Sequence, residues 1–379
     1  MYVSGLSLLR FRSYDYVTLK LLPGINVFVG TNGQGKTNLI EAINYCASFS
    51  SHRVSGDQPL VKHGESSAIV QVAIEQSART ITLEVEITPG KTNKVKQNGS
   101  PLSKARELLG ILLTVTFAPE DLMLVKGDPS ERRKFMDDAI TQLMPSFAAV
   151  RADFEKCLKQ RNALLKSAYG KTNQEVFHTL DVWDLQLART GAQVIYHRIK
   201  LIENIQELVA NAYTEVSDDR GPLEIAYVSS LEIPTNEAEL TIASIEAALL
   251  VALTEKRKSE LDRGITLVGP HRDEMQLMLR NLPVRGYASH GESWSCALAL
   301  KLSLFELLKR SSRGGDPILI LDDVFAELDE IRRRKLVEVI KGNEQTIITA
   351  AVPNDVPSEL EGALFEVNEG KVTRVEKSK

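Results

Sequence analysis

Three short segments carry side chains whose types and spacing suit chemistry on a nucleoside triphosphate. The first is Gly30-Thr31-Asn32-Gly33-Gln34-Gly35-Lys36-Thr37, which fills every fixed position of the pattern G-x-x-x-x-G-K-[ST]. Glycines at these places let backbone N–H groups wrap phosphate oxygens, and a helix that starts there adds its N-terminal dipole. Lys36 then reaches the β- and γ-phosphates and Thr37 ligates Mg²⁺. The second segment is Ile318-Leu319-Ile320-Leu321-Asp322-Asp323, an apolar strand ending in two carboxylates. Asp322 is the natural metal partner, and Asp323 stands where a general base for an attacking water belongs. The third is Ala288-Ser289-His290-Gly291-Glu292, followed by an apolar-rich helix from Trp294 to Lys309. A Ser-x-Gly turn at a helix start offers a hydroxyl and several N–H groups, so Ser289 and Gly291 are candidates to hold a γ-phosphate. Plainer readings stand beside these: a glycine-rich turn, two acids capping the next helix, and an N-cap by Ser289 or Ser293.

The surrounding pattern supplies elements able to position these groups. Ile25-Asn26-Val27-Phe28-Val29 is a short β-rich run ending at Gly30, and Thr37 to Phe49 reads as a helix with Leu39, Ile43 and Cys46 on one face. That is the strand–loop–helix a phosphate loop requires. Strands are also expected over Val3 to Arg12, Val17 to Leu21, and in the alternating stretch Ala68 to Thr88, with a tight hairpin turn at Asn98-Gly99. From about Ser130 to Glu215, Gly and Pro are scarce and apolar residues recur at helical spacing, as at Leu180, Trp183 and Leu187. Ser244 to Leu261 is helical again, and strands return at Pro317 to Leu321 and Gln345 to Thr349. The expected fold is α/β: a strand-rich lobe formed by residues 1–120 and 264–379, split by a helical arm over 121–263.

Composition limits what else the chain does. Its 379 residues carry 46 Lys+Arg against 50 Asp+Glu, a net charge of −4, which excludes a globally basic nucleic-acid binder but not a local basic surface. No apolar run reaches the ~18 residues that span a bilayer, and the first fifteen residues lack signal-peptide organisation, so no membrane partner is expected. Cys46, Cys157 and Cys296 are far apart and suit a reducing cytoplasm. Candidates for DNA contact are Arg10 and Arg12, Arg132-Arg133-Lys134, the arm residues Lys156, Lys159, Arg161 and Lys166, and Arg332-Arg333-Arg334-Lys335. Aromatic residues, 6% of the chain, do not interleave with them, which favours phosphate contact over base stacking. Arg53 is either a phosphate contact or a surface arginine. Glu120 and Asp121 either sense the metal or merely mark a helix N-terminus, and His271 with Arg272 either brace an interface or form a structural pair.

The order of motifs resembles the ATP-binding-cassette class, in which the serine turn contacts nucleotide held by the opposite subunit. Over nearly its whole length the chain resembles the RecF family, cytoplasmic bacterial DNA-repair ATPases related to the SMC-type proteins. The residues that carry the resemblance are Leu9 to Tyr14, the phosphate loop continued by Asn38-Leu39-Ile40-Glu41-Ala42-Ile43, Ser51-His52-Arg53, and Pro119-Glu120-Asp121-Leu122. Further on they are Lys126-Gly127-Asp128-Pro129, Arg132 to Asp137, Gly269-Pro270-His271-Arg272-Asp273 and Leu321 to Asp329. The resemblance implies an ABC-type head carrying an inserted helical arm, and an ATP-dependent homodimer with Mg²⁺ as cofactor. It also implies DNA binding at single-strand/double-strand junctions of gaps, alongside RecR and RecO, in recombination, replication and the SOS response. Carried over by motif, Gly30 to Thr37 bind ATP together with Asn38, Arg53 and Gly291. Thr37 and Asp322 hold the metal, Lys36 and Asp323 serve hydrolysis, and Ser289 reads the γ-phosphate of the partner.

Three departures point to a slow ATPase that works as a switch. The serine turn ends in Glu292 where relatives carry glutamine, and Thr349-Ala350-Ala351 lacks the histidine that senses γ-phosphate in transporter ATPases. Asp323 is one methylene shorter than the glutamate common at its place, and a base that reaches the water poorly is slow. Two other functions stay open on these residues. A P-loop small-molecule kinase explains Gly30 to Thr37 and Asp322 but leaves the Ser289 turn without purpose. A transporter ATPase subunit lacks its histidine here.

Overall fold

The apolar runs on either side of the phosphate-loop glycines become the middle of a parallel sheet. The computed structural model describes residues 1–379 apart from 52, 55, 170–173, 218–220, 235, 237 and 376–379, so His52, named above, lies outside the described residues. One compact unit comprises Met1–Val125, Leu208–Pro222 and Ala288–Lys379. In it β1 (Tyr2–Phe11) and β2 (Tyr14–Lys20) form a hairpin, and β3 (Gly24–Val29) leads into α1 (Lys36–Ser48). There follow β4 (Ala68–Gln76), β5 (Arg79–Ile87), β6 (Lys94–Gln97), β7 (Ser100–Pro101) and β8 (Thr114–Phe117). An antiparallel sheet runs β2-β1-β4-β5-β6-β7. The alternation expected over 68–88 buries Val70, Val72, Leu83 and Val85, while Glu84 and Glu86 pair with Lys96 and Lys94. Asn98 and Gly99 both take positive φ, 51° and 78°, and make the hairpin turn between β6 and β7.

A 3₁₀ turn at Pro119–Leu122 and the short helix α2 (Met123–Lys126) lead to the second unit, Lys126–Glu207 with Leu223–Tyr287. Its elements are α3 (Pro129–Leu143), α4 (Phe147–Ser167), most of the 43-residue α5 (Gln174–Val216), β9 (Leu223–Val228), α6 (Ile242–Arg263), β10 (Glu274–Leu279), β11 (Leu282–Pro283) and the broken turn α7 (Val284–Tyr287). The borders differ from an arm over 121–263. Residues 264–287 group with the second unit because β10 pairs with β9, and the end of α5 from Leu208 groups with the first.

Inside the second unit several arm cations expected to meet DNA hold the fold instead. Arg161 is fully buried, bonded to Asp184, Glu260 and Thr266. Arg132 forms a bidentate pair with Glu274, and Arg133 donates to the Asp273 carbonyl. The sequence offers no sign of this, since a cation inside an amphipathic helix looks the same whether its partner is water or a buried carboxylate. Lys156, Lys159 and Lys166 are exposed along α4. Asp273 accepts from Tyr227 and the Ser230 amide, and His271 and Arg272 both contact the Thr266 carbonyl, so Gly269 to Asp273 is a structural junction. Burial pushes the His271 imidazole down to about 4, which keeps it neutral.

The chain re-enters the first unit with α8 (His290–Ser311), β12 (Ile318–Asp322), α9 (Glu330–Ile340), β13 (Gln345–Ala350), β14 (Gly362–Asn368) and β15 (Lys371–Val375). The second sheet runs β15-β14-β3-β13-β12-β8, parallel except for the β14–β15 pair. β12 and β13 are buried along their whole length, as continuous apolar runs in a parallel sheet require. Leu39, Ile40 and Ile43 of α1 share one core with Phe28, Ile320 and Ile347 of this sheet and with Val70, Val72 and Leu83 of the antiparallel one. The helix behind the phosphate loop is thereby fixed between two sheets. Among the described residues no helix is long and apolar enough to cross a membrane.

Candidate nucleotide site

β3 ends at Gly30, and the backbone there leaves no room for a side chain: a Cβ would lie 2.2 Å from the Val367 carbonyl oxygen. The loop is held from the same strand end by Gln34, whose Oε1 accepts from the Glu369 amide, and by Tyr14, whose hydroxyl donates to the Gly35 carbonyl. Within it Gln34 N donates to the Thr31 carbonyl. α1 begins with no side-chain cap and no acid in its first turn, so its leading N–H groups face an anion without competition. Lys36 is buried and donates to the Gly30 carbonyl at 2.7 Å, with Asn32 Oδ1 at 3.5 Å. The ammonium therefore already points along the inside of the loop. Gly33 and Gly35 take φ of 86° and 108°, which completes the cradle.

Asp322 closes β12, two strands from β3 through β13. Its Oδ1 accepts from Thr37 Oγ1 at 3.1 Å and from Thr349 Oγ1 at 2.5 Å. The expected metal pair, Thr37 and Asp322, is thus brought into contact by residues 285 positions apart. Both donors are hard oxygens, as Mg²⁺ demands, and among the described residues no cluster of three or more His, Cys, Asp or Glu forms a separate metal cage. The Asp322 carboxyl is pushed up to about 6 by burial, with like charge from Asp323 and Glu120 adding to the shift and the two hydroxyls opposing it. Asp323 leaves the strand in the left-handed region at φ 51°, and its Oδ1 is buried with no hydrogen-bond partner among the described residues.

The raised carboxyl has a measurable consequence. A group whose folded pKa lies above its unfolded value of 3.8 stabilises the fold when protonated, and that contribution is lost as pH rises through about 6. Asp322→Asn keeps an acceptor oxygen for both hydroxyls and removes the charge. In chelator and without nucleotide, the variant is expected to be more stable than the parent at pH 8 by on the order of 2–3 kcal/mol, the gap closing toward pH 4. Urea unfolding at the two pH values checks this; parallel curves would show that Asp322 ionises without cost.

Ser289 is the N-cap of α8 in a full capping box. Its Oγ accepts from the Glu292 amide at 3.2 Å and its own amide donates to Glu292 Oε2 at 2.8 Å. The acid that replaces glutamine is explained by this role, since a carboxylate is the better acceptor at a helix N-terminus. Capping uses a lone pair of Ser289 Oγ, so the hydroxyl hydrogen remains able to donate. Trp294 Nε1 donates to His290 Nε2, which places the proton of a neutral His290 on Nδ1. Gly291 lies under Arg332, whose guanidinium would stand 3.0 Å from a Cβ there. Arg332 also binds Ser295 Oγ and Asp329, Arg333 donates to the Leu328 carbonyl, and Lys335 to the Ser217 carbonyl. Those three cations of the expected DNA cluster are therefore engaged within the fold, Arg332 against the start of α8; Arg334 is exposed and pairs with Glu330.

Arg53 donates to Asn38 Oδ1 at 3.0 Å and lies 3.6 Å from Glu41, beside the phosphate-loop helix. Arg12, expected at DNA, donates through Nε and Nη2 to the two oxygens of the buried Glu41 carboxylate, and Arg10 pairs with Glu65. Asp121 is occupied by the Ala118 amide and Lys301, whereas Glu120 acts on Asp322. Sequence reasoning left these two acids equal; the local capping pattern Ala118-Pro119-Glu120-Asp121 was the signal that assigns Asp121 to structure. Among the described residues the hydrogen bonds of Ser289 itself run to Glu292 and Ser293 of its own helix start.

Residues 2–367 match the family described as RecF/RecN/SMC N terminal domain. The chain is 50% identical over 375 residues to the DNA replication and repair protein RecF of Kineococcus radiotolerans, covering 96% of each protein. The chain belongs to the RecF family. A second relative, the DNA replication and repair protein RecF of Streptomyces avermitilis, is 49% identical over 99% of this chain and 100% of its own. Among solved structures, that of the recombination mediator protein RecF with ATP in the RecFOR pathway is similar with a TM-score of 0.89 and 30% identity, covering 99% of this chain and 98% of that one. An SMC head bound to the C-terminal winged-helix domain of ScpA is similar at TM-score 0.55 and 16% identity over 100% of this chain and 98% of that one, a likeness of fold. The fold is thus the ABC-type ATPase head of the family, a mixed α/β architecture with a helical arm.

Proposed function

We propose that this RecF-family chain is an ATP-dependent DNA-binding protein of recombinational repair and replication-gap processing, in which ATP drives two heads together and slow hydrolysis releases them. The observation that supports the reading is the division of the chemistry: the chain brings Thr37 of the phosphate loop against Asp322, with Asp323 next in sequence, whereas the hydrogen bonds of Ser289 close within its own helix start. In the proposed sequence Lys36 exchanges the Gly30 carbonyl for β- and γ-phosphate oxygens, and the opening N–H groups of α1 hold the chain of phosphates. Thr37 and Asp322 would hold Mg²⁺, which neutralises charge on the phosphate oxygens. Ser289 of the partner subunit donates its remaining hydrogen to the γ-phosphate. Asp323 takes the proton of the attacking water through Oδ1, which has no hydrogen-bond partner among the described residues. Asn38 and Arg53 line the nucleotide beside α1, and Gly291 lets the partner turn approach. DNA phosphates meet the exposed lysines of α4, and RecR and RecO enter as partners by family membership.

Sedimentation of the parent, Lys36→Ala and Ser289→Arg with and without ATP and gapped DNA tests the reading. Nucleotide-dependent dimers are expected for the parent alone. A parent that binds and hydrolyses ATP as a monomer, or a Ser289→Arg variant that dimerises like it, would overturn the two-headed scheme.

A further inference from the structure

Thr349 takes no part in the roles assigned above, yet its hydroxyl is bonded to both aspartates of the site. It is fully buried at the end of β13, in register with Asp322 across the parallel pair β12–β13. Neighbours in register point their side chains to the same face, so hydroxyl and carboxylate meet. Thr349 Oγ1 donates to Asp322 Oδ1 at 2.5 Å and accepts from the Asp323 amide at 2.9 Å. The second bond answers a backbone need. Asp323 follows the last paired residue of β12 and turns into the left-handed region, so its N–H has no place in the ladder; a buried amide without a partner costs free energy comparable to a lost hydrogen bond.

We infer that Thr349 is a positioning residue for hydrolysis: one hydroxyl orients the metal-binding carboxylate with its hydrogen and the base-bearing backbone with its lone pair. This rests on the function proposed above. Thr349 stands where transporter ATPases place a phosphate-sensing histidine, but its hydrogen is spent on Asp322, so it acts through the two aspartates and not on the phosphate. The left-handed turn at Asp323 is what aims that carboxyl away from the strand, and Thr349 is what holds the turn.

The test compares the parent, Thr349→Ser, Thr349→Val and Thr349→Ala, with Lys36→Ala as reference. Outer-shell partners of metal sites are worth about 10–100-fold in activity. Turnover at saturating ATP and Mg²⁺ is expected to fall by about that factor in the valine and alanine variants, while serine stays within about threefold of the parent. ATP affinity measured in chelator should move by less than about threefold in all three, because the phosphate loop is untouched. Valine matches threonine in shape, so equal turnover in Thr349→Val and the parent overturns the inference, as does an equal loss in Thr349→Ser. Amide hydrogen exchange gives a second arm independent of catalysis: the Asp323 amide should lose about tenfold or more of its protection in the valine variant and keep it in serine, with Ile347 unchanged in both. If the parent fails to hydrolyse ATP above the Lys36→Ala level, the proposed function falls, and the exchange arm still decides whether Thr349 holds Asp323.

Discussion

Arg161→Ala is expected to destabilise the protein by about 3–5 kcal/mol, the largest loss of stability we anticipate from a single substitution. The guanidinium is wholly buried and spends Nε on Asp184, Nη2 on Glu260 and Nη1 on Thr266, at 2.7, 2.6 and 2.9 Å. Neither carboxylate is exposed. With the arginine gone, Asp184 keeps Arg257 at 2.6 Å, whereas among the described residues the Glu260 carboxylate retains the Leu267 amide and no cation. The cost therefore falls chiefly on Glu260, a charge left without a cation in a dry interior. Urea unfolding measures the loss, and Arg161→Met combined with Glu260→Leu should recover about half of it by removing the stranded charge. A loss below about 1 kcal/mol for Arg161→Ala would mean that water or a rearranged lysine replaces the guanidinium.

The largest catalytic effect is expected at Asp323. Asp323→Asn keeps the size of the side chain but cannot take a proton, and loss of a positioned general base costs about 10²–10⁴-fold. The substitution leaves Lys36, Thr37 and Asp322 in place, so ATP binding should persist while turnover collapses, and nucleotide-dependent dimers should outlive those of the parent. Single-turnover hydrolysis and dimer lifetime are the paired readouts. Turnover within about tenfold of the parent would move the base elsewhere, to Glu120 as the next acid acting on the site.

The phosphate loop and the acidic strand were legible in sequence because each is a local pattern: glycines, a lysine and a hydroxyl at fixed spacing, or an apolar run ending in acids. Their partnership was legible too, since a metal needs both, and the 3.1 Å contact of Thr37 with Asp322 is its geometric form. The arrangement around Thr349 was hidden because it depends on strand register, which brings position 349 beside 322 and is written nowhere within either segment. The same holds for Arg12 on Glu41, Arg161 on Glu260 and Arg332 over Gly291. Each cation belongs to a stretch whose composition suits a solvated surface, and only the tertiary partner distinguishes the two. Glu292 was misleading for a related reason: compared with the glutamine of relatives it looks like a defect, whereas as the closing member of a capping box with Ser289 it is a good choice.

The glycine-rich loop lies early in the sequence, yet the strands on both sides of it come from beyond residue 344. β3 finds its two neighbours at residues 345–350 and 362–366, and the Gly30 backbone rests on the carbonyl of Val367. A chain that stops before residue 345 contains every letter of the nucleotide motif and keeps Tyr14 beside it, but lacks both strands that flank β3. Long-range pairing of this kind is slow and leaves apolar strands uncovered while it waits. Such a truncated chain is therefore expected to hold a triphosphate poorly although its nucleotide motif is intact.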